Sequence, residues 1–241
     1  MKGRMKVDTR IFIMTHKEFE PPQQACYVPL HVGKSGKKEL NYPGDDGGDE
    51  ISDKNDTFCE LTGLYWIWKN VSCDMAGLVH YRRYFVRRGS QEETGPVGAK
   101  ILDQDYIEQC LKEYDMIVPD SGMTQEGSVW NQYALRHRIS DWMECGRVIH
   151  DLCPEYEPAY RWSQNCNFIS LGNMVITRKE ILDEYCEWLF AILFEAERRI
   201  DLRGYDAYQR RIFGFLSERL FRVWLLKQPL RIREEPVMMS E

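Results

Sequence analysis

The chain has 241 residues, 43% hydrophobic and 12% aromatic, enough to bury a substantial core in one large domain or two small ones. A formal net charge of −6 argues against a general nucleic-acid binder, and no run is long and apolar enough to span a bilayer, so membrane contact is expected to be peripheral at most. The eight cysteines are scattered without a C-x-x-C pair, and Met1 to Arg10 is polar and basic without the apolar core of a signal peptide; together these predict reduced thiols, no zinc site and a cytoplasmic setting.

Arg10 to Thr15 (RIFIMT) is a short apolar run bounded by polar residues and predicts the first, central strand. The turn after a first strand is a common nucleotide site in α/β folds, so His16 and Lys17, beside Thr15, are candidates for a base or phosphate contact; a plain polar turn is the alternative. Glu20 to Glu50 lacks periodicity, and Asn41 to Asp49 (NYPGDDGGD) is a loop by composition, where Asp45 and Asp46 read as a solvated turn ahead of a cation site. Thr57 and Glu60 have capping-box spacing, which predicts a helix starting near Phe58, with Phe58, Leu61, Leu64, Tyr65 and Trp68 on its core face. Asp53, Lys54 and Asn55 precede that start, where free N–H groups favour a phosphate or a sugar hydroxyl.

Ala76 to Phe85 (AGLVHYRRYF) opens as a buried strand and breaks into His80, Tyr81, Arg82, Arg83 and Tyr84. In an open α/β sheet, ligands bind at the carboxyl ends of strands, and donors, cations and rings placed there suit an anion with a flat ring. With Arg87 and Arg88, this cluster stands against the negative overall charge, as a dedicated anion site would; a basic surface loop is the alternative. Gly89 to Lys100 reads as a second loop, Leu102 to Tyr114 as a helix started at Asp103, and Asp115 to Pro119 as a buried strand. The acids of Asp103-Gln104-Asp105 open that helix, where the helix dipole accounts for them. Asp120 to Gly127, with Asp120, Ser121 and Glu126, follows a strand and can wall a cleft.

Ser128 to Asp151 is helical in two pieces joined near Ser140, and its histidines, His137 and His150, are too far apart to pair as ligands. Pro154 to Trp162 (PEYEPAYRW) reads as an irregular aromatic loop. Met174 to Thr177 is a strand with Gly172-Asn173 at its mouth, and Lys179 to Leu202 is a long helix. After an interruption at Arg203 to Asp206, Tyr208 to Leu226 forms a final helix on which Arg211 and Glu218, about two turns apart, face one side. A buried Arg–Glu pair that merely orders the packing is the plain reading of that face. The expected architecture is α/β: a single domain over 1–228, with a central mostly parallel sheet flanked by helices and a helical C-terminal part, then a loose charged tail over 229–241.

Five ordered stretches, IFIMTHK, ISDKND with CELTGLYWIWKN, GLVHYRRYF, GNM and DAYQRRIFGFLSERL, closely resemble a bacterial glycosyltransferase family over roughly Arg10 to Gln228. That family occurs among capsule, exopolysaccharide and O-antigen gene products, was long a domain of unknown function, and includes the galactofuranosyltransferase domain of a bifunctional O-antigen polymerase. The resemblance implies a Rossmann-like, GT-A-like nucleotide-sugar transferase domain. It implies a hexosyltransferase that takes a UDP-sugar donor, with galactofuranose or galactose as the sugar, and a growing or lipid-linked glycan as acceptor, in the cytoplasm at the inner face of the membrane. Its Pro154 to Trp162 loop would then bind acceptor.

Most folds of this kind hold a metal through D-x-D just after a central strand, whereas Asp103-Gln104-Asp105 opens a helix. No resident cofactor is therefore expected; manganese or magnesium, held by Asp45/Asp46 or Asp103/Asp105, is the alternative. Under the resemblance, Arg82 and Arg83, with Arg211, stabilise the departing diphosphate beside His80, as fixed cations can. Asp53 and Asn55 hold donor hydroxyls, Lys54, Thr15, His16 and Lys17 complete the donor site, and Asn173 lines the sugar pocket. If transfer inverts the anomeric carbon, Asp206, Asp120 or Glu218 takes the acceptor proton. The reading from a different class is a nucleotide- or glycan-binding subunit without catalysis.

Overall fold

The computed structural model describes residues 7–89 and 101–240. Beyond Gly89, the loop expected up to Lys100 lies outside the described residues, as does most of the Met1 to Arg10 segment.

The strand β1 (Thr9–Thr15) is apolar without interruption from Ile11 to Met14 because both of its faces are covered there. Side chains alternate across a strand, so Phe12 and Met14 enter the larger core with the long C-terminal helices, while Ile11 and Ile13 enter a smaller core on the opposite face. Two parallel neighbours flank it: β2 (Tyr27–His31) starting at Ile11↔Tyr27, and β3 (Met75–His80) from Thr9↔Met75 to Met14↔His80. Beyond β3 lie β8 (Val175–Arg178), antiparallel to it, then β5 (Met116–Pro119) and β9 (Ile232–Glu235). The chain also turns back from β3 into β4 (Arg83–Phe85), which pairs with β10 (Val237–Met239). Among the described residues this sheet has eight strands, of which only β4 and β8 run against the rest, as expected of a mostly parallel α/β sheet, while β6 (Gly122–Met123) and β7 (Phe168–Ile169) form a separate antiparallel pair. Gly77 lies at its tightest point: a Cβ there would stand 2.8 Å from both Ile11 Cδ1 and Ile176 Cγ1.

The helices are α1 (Asn55–Phe58), α2 (Leu61–Asn70), α3 (Gln104–Glu113), α4 (Val129–Arg136), α5 (Ile139–Leu152), α6 (Glu157–Asn165), α7 (Lys179–Arg199) and α8 (Ile212–Lys227). Asp103 caps α3 by accepting the Tyr106 N–H at 2.7 Å, as its sequence predicts, and the two pieces after Ser128 part at His137–Arg138. None of the helices among the described residues is long and apolar enough to cross a membrane, and all eight cysteines are free.

Three expectations are corrected. The helix expected to start near Phe58 instead ends there: Cys59 adopts φ +53 and separates α1 from α2. The capping box does not form, because Thr57 Oγ1 donates to the Lys54 carbonyl and Glu60 accepts from Asn173, 113 residues away. The aromatic stretch Pro154 to Trp162 is a 3₁₀ turn leading into α6, not an irregular loop; its prolines sit in first turns, where a missing N–H is harmless, and Tyr160 donates to the Trp142 carbonyl inside the core. The segment after Pro229 is not loose. It supplies β9 and β10, and its charges are satisfied in place: the fully buried Glu235 accepts from Arg233, Tyr106 Oη and the Arg88 N–H.

Candidate active site

A cleft of about 640 Å³ opens at the carboxyl ends of β1 and β3, the place where open α/β sheets put ligands. The end of β1 brings His16, and the β3–β4 turn brings His80, Tyr81, Arg82 and Arg83. The corner between α1 and α2 adds Asn55, Asp56, Cys59 and Glu60; the entry and first turns of α8 add Arg210, Arg211, Phe215 and Glu218. Met239 of β10 closes one side.

The cleft is cationic at its mouth. Arg82, Arg83, Arg210 and Arg211 all line it, and among the described residues none of them is in an ion pair with a carboxylate. Arg82 lies 5.0 Å over the Tyr81 ring, and Arg211 donates from Nε to Cys59 Sγ at 3.3 Å while lying 5.5 Å from the Phe215 centroid. Burial, with Lys17, Lys37, Arg82 and Arg211 nearby, pushes the His16 imidazole down from its ordinary pKa, so it stands neutral at pH 7, edge-on to Tyr81 at 5.5 Å. Burial above all pushes the Cys59 thiol up to about 11, which keeps it protonated.

Glu218 is a half-buried acid of the site. Its carboxylate accepts the Gly172 N–H at 2.7 Å and pairs with Arg219 at 2.7 Å. Burial raises its pKa, with Glu60 adding to the rise and Arg219, the Gly172 N–H and Arg83 opposing it. Behind the cleft, Gly172 and Asn173 form a turn with φ +107 and +47 that touches its walls. The Gly172 carbonyl meets His80 Nε2; Asn173 Nδ2 donates to Glu60 Oε1 at 2.7 Å and to the Gly214 carbonyl at 3.1 Å, and its Oδ1 accepts from Ser217 Oγ at 2.7 Å.

Of the residues singled out from sequence, the fold brings His16, Asn55, His80, Arg82, Arg83, Arg211 and Glu218 together around the cleft. Asn173 stands behind that wall. Thr15 is buried and shapes the turn after β1, its Oγ1 donating to the Lys17 carbonyl at 2.6 Å and accepting the Lys17 N–H at 3.1 Å. Lys17 itself is not among the lining residues. Asp53 is exposed on a 3₁₀ turn before α1, and Lys54 pairs with Glu197 of α7 at 2.7 Å. Asp206 is exposed and caps the turn into α8, accepting the Gln209 N–H at 2.7 Å, next to the lining residue Ala207. Asp120 is outside the lining, paired with Arg88 past the end of β5.

Three of the four acids weighed as metal ligands are otherwise engaged, and the fourth, Asp105, is exposed in the first turn of α3. Asp45 is fully buried and accepts the Gly33 and Lys34 N–H groups and Ser52 Oγ, Asp46 lies 3.7 Å from Lys34 Nζ, and Asp103 caps α3.

Sequence reasoning passed over Asp56, Cys59, Glu60, Arg210 and Phe215. The last was within reach: Arg211, Gly214, Phe215 and Glu218 follow the i, i+3, i+4, i+7 spacing of one helical face, so the face that carries Arg211 and Glu218 carries Phe215 too.

Residues 10–229 match the family described as Domain of unknown function (DUF4422), and the chain belongs to that family. No curated protein matches. The fold is similar to the solved apo structure of WbbM, a bifunctional glycosyltransferase, with a TM-score of 0.85 and 29% sequence identity over 97% of this chain. The chain spans 46% of that structure's length.

Proposed function

We propose that this chain is a glycosyltransferase that moves a hexose, galactofuranose or galactose, from a UDP-sugar to a glycan of a capsular, exopolysaccharide or O-antigen pathway. The observation that carries the reading is the set of four guanidinia without carboxylate partners among the described residues, gathered at the carboxyl ends of β1 and β3 in the cleft that Glu218 also lines. A diphosphate is the leaving group such a cluster fits, since a guanidinium gives a phosphate two parallel hydrogen bonds. The likeness to a bifunctional glycosyltransferase supports the same class of chemistry.

In the proposed reaction an acceptor hydroxyl oxygen attacks the anomeric carbon of the donor. The bond from that carbon to the diphosphate oxygen breaks and its electron pair stays on the diphosphate, where Arg82, Arg83 and Arg211 meet the developing charge. The hydroxyl proton passes to Glu218, the one of the three carboxylates proposed from sequence that lines the cleft. A raised pKa makes Glu218 a stronger base than an exposed carboxylate. In this reading Asn55 and Glu60, which line the cleft, take donor hydroxyls.

The test is a thermal-shift and turnover series with UDP and UDP-sugars. UDP should raise Tm in the parent protein, and much less in Arg82→Ala and Arg83→Ala. Each of these should also lower kcat by about 10²–10³-fold, the usual loss for one preorganised charge donor. Glu218→Gln should abolish transfer while leaving the UDP shift in place. Arms with EDTA and with manganese show whether a divalent ion shares the leaving-group role. Normal UDP binding and turnover in both arginine variants would overturn the assignment.

A further inference from the structure

One wall of the cleft continues outward as a stack of rings. Phe215 lines the cleft, His137 lies on it with centroids 4.1 Å apart and planes 27° apart, and Tyr208 lies on His137 at 5.9 Å and 19°. Tyr208 also meets Phe215 directly at 5.1 Å, yet 52% of its surface remains exposed.

The His137 ring is held uncharged. Burial, with Arg219 and Arg136 nearby, pushes the His137 pKa down to about 4. At neutral pH it is therefore a third aromatic surface and not a cation. The stack is also fixed in place, since Gln209 donates to the Arg136 carbonyl at 2.8 Å and its side-chain oxygen lies 3.4 Å from His137 Nδ1.

Polar groups border it. Asp206 is exposed two residues before Tyr208, and Arg210 and Asp56 line the adjoining part of the cleft. A flat apolar face edged by a carboxylate and a guanidinium suits a pyranose. The sugar's axial C–H groups present an apolar face to the electron-rich ring, and its equatorial hydroxyls reach outward to the polar edge. The position suits an acceptor more than a donor. Phe215 is three residues from Glu218 on α8, about 5–6 Å between neighbouring Cβ atoms on a helix surface, and Arg211 lies 5.5 Å from the Phe215 centroid.

We infer that Tyr208, His137 and Phe215 form the acceptor subsite, which stacks a pyranose of the receiving glycan at the rim of the cleft, with Asp206 and Arg210 taking its hydroxyls. This rests on the transferase reading for its role, but the binding itself can be measured separately. The probes are methyl pyranosides of the gluco, galacto and manno series, with binding read by saturation-transfer NMR in the absence and presence of UDP. The parent protein should transfer saturation to the axial C–H protons of at least one of the three. Tyr208→Phe should keep that binding, and Tyr208→Ala should weaken it about three- to tenfold, the span that loss of one stacked ring implies. The UDP thermal shift should be the same in all three proteins. Absence of binding to every pyranoside in the parent, or equal binding in Tyr208→Ala, overturns the subsite. Pyranoside binding that depends on Tyr208 without any UDP shift supports the subsite and overturns the transferase reading instead.

Discussion

Replacing Asn173 by glycine isolates how the cleft is held from behind. Asn173 sits at φ +47, a left-handed backbone that glycine adopts without strain. Asn173→Gly therefore removes the side chain and leaves the turn intact. With it go the bonds from Nδ2 to Glu60 at 2.7 Å and to the Gly214 carbonyl at 3.1 Å, and the bond from Ser217 to Oδ1 at 2.7 Å. A bond to a charged group contributes about 1.5–3 kcal/mol and a neutral one about 0.5–1.5 kcal/mol. Two features pull the total toward the low end. Ser217 Oγ keeps a second acceptor, the Gly214 carbonyl at 2.9 Å, and Glu60 lines the cleft, where water can replace its lost donor.

The expected loss is about 2–3 kcal/mol, read as a shift in the urea midpoint at unchanged slope. Asn173→Ala should lose about 1–2 kcal/mol more, because a Cβ is strained in the left-handed region. Asn173→Asp, of the same shape, would put a second carboxylate against Glu60 and should be worse than glycine. A glycine variant within about 0.5 kcal/mol of the parent, inside the range of ordinary surface changes, would refute the claim that this turn ties α8 to the α1–α2 corner.

Two further outcomes follow from the packing and charge around the sheet. A Cβ on Gly63 would stand 2.6 Å from Met14 Sδ and 2.7 Å from Val32 Cγ1, so Gly63→Ala should push α2 off β1 and cost about 1–3 kcal/mol by denaturant unfolding. Asp115, where β5 begins, is held below the usual carboxylate range, first by Arg178 at 2.7 Å and then by the Arg231 N–H and guanidinium. A lowered folded pKa means that this stabilisation is fully present above the unfolded value of about 3.9 and is lost as pH falls through the folded pKa. Asp115→Asn should therefore unfold more easily than the parent at pH 7, and urea melts at falling pH should show the gap closing.

The parts of the molecule that were legible in sequence are those whose signals are local. The uninterrupted apolar run of β1, the Asp103 cap and the stripe of α7 each depend on neighbours within a few residues, and each is where its pattern puts it. The basic end of β3 was legible as a cluster of cations following a buried strand, and the fold sets that cluster along the cleft. What was not legible depends on distant partners. Glu60 at capping spacing from Thr57 is claimed instead by Asn173, and the charges of the last segment look loose only until Tyr106, Arg233 and the Arg88 N–H are brought to Glu235. The break at Cys59 has no glycine or proline to announce it, yet it turns Glu60 toward the cleft.

That last segment also bears on the arginines. The strand β4 meets β3 through a single register pair, His80↔Arg83, which is little to hold a three-residue strand carrying one of the cleft's cations. Its other side is covered by β10 over three pairs, the last of them Met239↔Arg83, and the Ser240 N–H donates to the Arg82 carbonyl at 3.0 Å. The backbone of both arginines is thus fixed from the C-terminal side of the chain, while both residues line the cleft together with residues of α8 and the α1–α2 corner. An electrostatic site acts well only when its charges need not rearrange as the reaction proceeds. A short hairpin at the mouth of a sheet would not supply that rigidity alone. The pairing with β10 does, and it explains why residues as far apart as Arg82 and Ser240 belong to one structural unit.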